Sequence, residues 1–231
     1  IGLATANLFA DAGATVHAAA RRREAIEEGA GERIGSGIKA YTLDVSDSGA
    51  VEKVIGEIGE AGEIDTLVIA AGMNVPERRL QQLSPESWDG ILSVNLSGAF
   101  YCVKAALPYL REARGLVMLI SSVSGSWPDM SGPAYQASKA GMTELAHAAG
   151  FEEHQNGVRF TSVMPGIVDT PILDNRPEPP GKEIRDLRLK PEDAGGFRHV
   201  AALCRECALD QVALDLFERH LFEPRCPVGA G

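Results

Sequence analysis

Residues 115–139 read GLVMLISSVSGSWPDMSGPAYQASK. The stretch opens with five consecutive apolar residues, Leu116–Ile120, the pattern of a strand buried on both faces. It breaks into small polar residues at Ser121-Ser122 and resumes as Tyr135-Gln-Ala-Ser-Lys139, which opens a helix. Four residues apart on a helix, Tyr135 and Lys139 share one face. A phenol beside an ammonium, with a serine hydroxyl at a nearby strand end, suits proton transfer to or from a carbonyl oxygen. The plainer alternative is an ordinary helix-surface pair and a capping serine.

Outward from this stretch the chain alternates between strand and helix periods. Residues 1–13 have the pattern of an amphipathic helix closed by Gly13. Residues 14–20 (ATVHAAA) read as a short strand, with Arg21-Arg22-Arg23 at its carboxyl end. A helical patch at 23–28 and a Gly-rich loop lead to a strand at 38–43, which ends in Asp44-Val45-Ser46-Asp47. Ser46 or Ser48 is the expected cap of the next helix, whose apolar positions are Val51, Val54, Ile55 and Ile58. Residues 64–70 form a further buried strand that runs into Ala71-Gly72. Ser84-Pro85-Glu86 starts a long helix with a cap, a proline at the first position and an acid in the first turn. Its apolar row from Trp88 to Leu110 includes Asn95, either a satisfied core amide or a functional one.

Past Lys139 the helix continues to about Glu153, and a strand at 158–164 ends in Pro165-Gly166-Ile167-Val168-Asp169-Thr170. The Pro-rich, charged residues 174–190 give a mobile surface segment, part of a lid or substrate loop at about 169–190. A helix from Pro191 to about Cys207 and a last strand at 212–217 complete the pattern. Such alternation argues for an α/β fold: a doubly wound parallel sheet between two helix layers, in a single domain over residues 1–231.

Composition excludes several classes. A net charge of −10 and a pI near 5.0 weigh against a nucleic-acid surface, which needs clustered Lys and Arg. No apolar run reaches membrane-spanning length and no signal-peptide pattern is visible, so no membrane association and a cytoplasmic location are expected. Cys102 reads as a core residue, and Cys204-Arg-Glu-Cys207 is a C-x-x-C without a second ligand pair. Neither Cys226 nor the histidines (His17, His147, His154, His199 and His220) add ligand spacing, so no metal is expected.

Tyr135-x-x-x-Lys139, Ser122 thirteen positions before the tyrosine, and Asn95 within VNLSGAF together resemble the active-site pattern of the short-chain dehydrogenase/reductases. Leu43-Asp44-Val45, Ala70-Ala71-Gly72 and the 165–170 segment fall where that family has cofactor-contacting strand ends. The match runs from Ile1 to about Asp193. Three features depart from it. The family's first strand and T-G-x-x-x-G-I-G loop are missing save for Ile1-Gly2, so the resemblance implies a Rossmann-type, three-layer α/β/α fold truncated at its N-terminus. Its usual Asn-Asn-Ala-Gly is Ile69-Ala70-Ala71-Gly72, and from about Gly195 the common final-strand signature is lacking.

The resemblance implies hydride transfer between NADP(H) and a carbonyl or alcohol substrate. Tyr135 is then the general acid or base, with its pKa lowered by Lys139, which also binds the nicotinamide ribose. Ser122 holds the substrate oxygen, and Asn95 holds a water linking Lys139 to solvent. The implied cofactor contacts are Ile1, Arg21, Arg22, Asp44, Val45, Ala71, Gly72, Tyr135, Lys139, Pro165, Gly166, Ile167 and Thr170. Ala20 stands where an NAD-selecting acid would, and Arg21 and Arg22 follow it, which favours NADP(H) over NAD(H). Trp127, Met130, Ile172 and Leu173 are candidate pocket walls. A homodimer or homotetramer through the helices of Asn95 and Tyr135 is expected. The missing Gly-rich loop keeps a second reading open, a catalytically incompetent scaffold or dimerisation partner. A sugar-nucleotide epimerase ranks lower, because little chain follows Pro165.

Overall fold

Parallel strands joined by helices account for most of the chain in the computed structural model, which describes residues 1–62, 64–195 and 211–214. In order these are α1 (Gly2–Asp11), β1 (Val16–Ala20), α2 (Arg23–Ala30), β2 (Ile38–Thr42), α3 (Ser48–Ala61) and β3 (Thr66–Ile69). Then follow α4 (Pro85–Leu92), α5 (Gly98–Ala113), β4 (Leu116–Ile120), α6 (Pro133–Glu153) and β5 (Arg159–Pro165). The short helices α7 (Lys182–Asp186) and α8 (Pro191–Gly195) and the strand β6 (Gln211–Leu214) complete the set.

Every strand pairing is parallel. β1 pairs with β2, from Val16 opposite Ile38 to Ala20 opposite Thr42, and the order β3-β4-β5-β6 forms the second half. This is the α/β, doubly wound parallel arrangement that the alternation predicts, in two pieces. Among the described residues no strand bridges β1 and β3.

β4 shows why its five residues are all apolar. Val117 and Leu119 join a core with Val51, Ile55, Cys102, Val103, Met142 and Phe160, against α3, α5 and α6. Leu116, Met118 and Ile120 join Val163 and Val168 on the other face. A strand covered on both sides has no use for polar alternation. Ala6, Ile26, Ala30 and Ile38 pack α1 and α2 on β2. Cys102 is the core residue expected, and burial pushes its thiol up to about 11.

Several sequence expectations change. The cap of α3 is neither Ser46 nor Ser48 but Asp47, whose extended backbone lets its carboxylate accept from Ala50 N at 3.0 Å. Ser48 is the first helical residue, and Ser46 Oγ donates to Asp44 Oδ1 at 2.6 Å. The long helix is interrupted: a π turn, Ser93–Ser97, lies between α4 and α5. By length and composition Pro85–Ala113 is also long and apolar enough to cross a membrane, contrary to the sequence reading. Its buried residues, among them Ile91, Ala99, Val103 and Leu110, belong to a helix packed on α3, α6 and β3.

The expected lid is a folded strap. It contains a 3-10 turn, Pro171–Asn175, and α7, and Asp169 N bonds Leu189 O at 2.8 Å. Arg185 and Lys190 both reach the Asp169 carboxylate, at 3.2 and 3.1 Å. The helix from Pro191 is described only to Gly195, and the last strand is Gln211–Leu214. Cys204, Cys207, Cys226, His199 and His220 lie outside the described residues.

Asp47→Ala should lower stability by about 1 kcal/mol in urea unfolding. Ser48→Ala should change it by less than about 0.5 kcal/mol. The reverse order would return the cap to the serine.

Candidate active site

Because the strands are parallel, their carboxyl ends lie along one edge, and there a cavity of about 260 Å3 opens. Its lining includes Ile1 at the start of α1, Ala70 and Gly72 after β3, and Ser121 and Ser122 after β4. Tyr135 and Lys139 reach it from the first turns of α6, and Pro165, Gly166, Ile167 and Thr170 from the end of β5.

Polar bonds fix α6 against β4. Ser121 Oγ donates to Lys139 O at 2.7 Å, and Thr143 Oγ1 to Ser121 Oγ at 3.0 Å. Lys139 is 4 % exposed. Its Nζ donates to Ile120 O at 2.7 Å, contacts Met142 Sδ at 3.4 Å, and lies 5.8 Å from the centre of the Tyr135 ring. Burial brings this amine down from 10.5 to about 8.

Tyr135 behaves differently from expectation. Its phenol is raised above the ordinary value, first by burial; Asp129 adds to the rise, while Ser122, Arg176 and Arg78 oppose it. The lowering expected from Lys139 is not met, because its ammonium is turned to the Ile120 carbonyl. Ser122 also caps the 3-10 turn Val123–Gly125, its Oγ accepting from Ser124 N at 3.2 Å. Position and capping are therefore two uses of one side chain.

Asn95 is fully buried in the π turn. Its Oδ1 accepts from Met73 N at 2.7 Å, and its Nδ2 donates to Met73 O and Ser138 Oγ, each at 3.0 Å. It is a satisfied amide that clasps the loop after β3 to α6. Gly72 sits between these groups. A Cβ there would stand 3.4 Å from Lys139 Nζ and 3.6 Å from Asn95 Oδ1.

The remaining sequence-derived contacts lie outside the cavity lining but on the same edge. Arg21 and Arg22 are exposed after β1, Arg22 serving as the N-cap residue of α2. Asp44 follows β2; its carboxyl is held low by bonds from Ser46 Oγ and N, with a smaller contribution from Arg21. Val45 abuts Gly98, and Ala71 precedes Gly72. A nicotinamide dinucleotide fits this residue set. The bare backbone at Gly72 leaves approach to the Lys139 ammonium open, and exposed guanidiniums stand at the far end of the row.

The sequence did not disclose Arg78, Asp129 and Arg176, which line the cavity, nor the Ser124 and Ser131 hydroxyls that surround Asp129. A lone signal was available: an arginine pair, Arg78-Arg79, in the loop that follows a cofactor-type strand end. Of the expected pocket walls, Ile172 and Leu173 line the cavity, whereas Trp127 and Met130 are each 72 % exposed and outside it.

The profile of the short chain dehydrogenase family matches residues 1–180. An uncharacterized oxidoreductase of Bacillus subtilis is 34% identical over 177 residues, 75% of this chain and 65% of that protein. The matched segment thus spans just under two thirds of that relative. A meso-2,3-butanediol dehydrogenase of Serratia marcescens is 35% identical over 187 residues, 80% of this chain and 72% of that protein. Among solved structures, an alcohol dehydrogenase from Thermococcus sibiricus complexed with 5-hydroxy-NADP superposes with a TM-score of 0.83 at 27% identity, covering 96% of this chain and 95% of that one. The closed form of a serine dehydrogenase complexed with NADP+ gives 0.80 at 26%, covering 92% and 90%.

The buried amine makes a pH prediction. Between about pH 8 and 10.5 the unfolded chain holds the Lys139 proton and the folded chain has released it. Stability from this group therefore rises with pH through that window and is flat below it. Measured against Lys139→Met by urea unfolding, the wild type should gain stability from pH 8 to 10 and show no relative change from pH 6 to 7. A difference independent of pH would mean that the amine titrates normally.

Proposed function

Because the chain belongs to the short chain dehydrogenase family, and its relatives are oxidoreductases, we propose that it transfers a hydride between NADP(H) and a carbonyl or alcohol carbon. The observation that carries this reading is the convergence of Ser122, Tyr135 and Lys139 on one cavity beside the bare backbone of Gly72. The bound nicotinamide supplies or accepts the hydride.

The chain's own residues handle position and protons. Tyr135 hydroxyl donates a proton to the substrate oxygen in reduction and takes it back in oxidation. Its raised pKa keeps it protonated at neutral pH, which suits a donor. Ser122 Oγ donates a hydrogen bond to the same oxygen and stabilises charge that develops there. Lys139, with an amine near 8, exchanges protons close to neutral pH and holds the nicotinamide ribose. Asn95 acts through the loop it clasps; with both Nδ2 hydrogens spent on Met73 O and Ser138 Oγ, a water linking Lys139 to solvent would be held by its Oδ1. Ile1, Ala71, Gly72, Pro165, Gly166, Ile167 and Thr170 flank the cofactor. Asp44 and Val45 flank the adenine.

Arg21 and Arg22 favour a 2′-phosphate, and two of the structural neighbours are complexes with NADP-type nucleotides. The active form in this reading is a cytoplasmic homodimer or homotetramer. Its interface is the α4–α5 and α6 surface, where Phe100 and Phe151 are 45 % and 80 % exposed.

NADPH fluorescence titration and NADPH oxidation test the reading together. Tyr135→Phe should bind NADPH like the wild type and lose at least about 100-fold in kcat. Arg21→Asp should weaken NADPH relative to NADH about tenfold, some 1.4 kcal/mol. Retained turnover in the first removes Tyr135 from its role, and an unchanged ratio in the second makes Arg21 a surface charge. A folded wild type that binds neither nucleotide is the scaffold of the competing reading.

A further inference from the structure

Two guanidiniums in the cavity have no use in the chemistry above. Arg78 is 5 % exposed, in the loop after β3. Two of its three nitrogens are spent on carbonyls: Nε donates to Val75 O at 2.8 Å, and Nη2 to Asn175 O. Asn175 Nδ2 in turn reaches Asn74 O at 3.4 Å, so the strap and this loop are cross-linked. Gly132, at a φ of 85°, presses on the same place; a Cβ there would stand 2.3 Å from Arg78 O. Arg78 is held rigidly.

Arg176 comes from the other side, just after the 3-10 turn of the strap. It is half-buried and lines the same cavity; its backbone N–H closes the turn on Leu173 O, but its guanidinium makes no hydrogen bond or ion pair among the described residues. Burial and the nearby Arg176 both hold the Arg78 guanidinium below its ordinary value. Two like charges facing one cavity are costly unless something negative comes between them. Among the described residues Asp129 is the one acid in the lining, and it offsets this only in part: its pull on Arg78 is smaller than the opposing effects of burial and Arg176, its carboxylate accepts from Ser124 Oγ at 2.6 Å, Ser131 N at 2.8 Å and Ser131 Oγ at 3.2 Å, and it forms a salt bridge with neither arginine.

The geometry points to a substrate with an anionic group, a carboxylate or its sulfonate counterpart, seated by Arg78 and Arg176 while its carbonyl faces Ser122 and Tyr135. Guanidinium N–H donors match such oxygens in charge and shape. The inference rests on the oxidoreductase reading for the carbonyl but not for the anion seat. It makes small oxo acids the preferred substrate class over unsubstituted alkyl ketones.

The test is calorimetric titration of the full chain, without nucleotide, by pyruvate, acetoacetate and levulinate, each against its methyl ester. At least one acid should bind tenfold or more tightly than its ester. In Arg176→Gln, which breaks no side-chain hydrogen bond or ion pair among the described residues, that acid-to-ester ratio should fall at least fivefold. No acid preferred over its ester, or a ratio unchanged in the variant, overturns the anion seat. Where the variant fails to fold, the wild-type ratio alone decides. NADPH oxidation with the preferred acid is read separately: binding without oxidation sinks the oxidoreductase reading and leaves the seat standing.

Discussion

The bond from Lys139 Nζ to the Ile120 carbonyl is the constraint on which the site depends. It buries a cation, which costs free energy unless the cation is well bonded. What makes it tolerable is the company it keeps. Ser121, Thr143 and Ser162 hydroxyls join α6 to the end of β4 and the middle of β5, so the helix cannot slide along the sheet. With α6 fixed, Tyr135 has one place to stand, over the end of β4 and near Ser122. The spacing of Tyr135 and Lys139 in the sequence brings them to the cavity because this seam sets where the helix sits.

The second anchor is the π turn at Asn95. An α-helix that runs straight from Pro85 to Ala113 keeps its apolar row continuous, and an amide in that row needs its own partners. The extra residue of the π turn coincides with the point where Asn95 bonds the backbone of Met73 and the hydroxyl of Ser138. Three segments distant in sequence thereby meet: the loop after β3, the long helix and α6. The loop that the clasp holds is the one that carries Arg78.

The legible parts of the chain were those written in local chemistry. Five apolar residues at 116–120 specify a doubly covered strand, and Ser84-Pro85-Glu86 specifies a helix start; both stand as read. Tyr135, Lys139 and Ser122 converge because strand-end and helix-start positions follow from the βαβ alternation. What escaped depends on distant partners. Asp47 rather than a serine caps α3 because backbone conformation chooses among adjacent capping residues. Arg78 and Arg176 lie 98 positions apart, and no periodicity relates them; only the cross-link between loop and strap does. Trp127 and Met130 looked like pocket walls by their place in a loop, yet loop position does not fix the direction of a side chain.

The proton order at the site follows from burial. In water a lysine amine and a tyrosine phenol hold protons almost equally well. Here burial raises the phenol and lowers the amine, because each resists its own charged form. The pair accordingly favours phenol and amine over phenolate and ammonium, the opposite of what their spacing suggests. Two guanidiniums nearby pull the phenol back toward ionisation. An anion seated between them, as proposed, would cancel that pull and add to the rise that burial already gives the phenol. Substrate recognition and the protonation of the phenol would then be coupled through the same two guanidiniums, although burial alone already holds Tyr135 in its acid form.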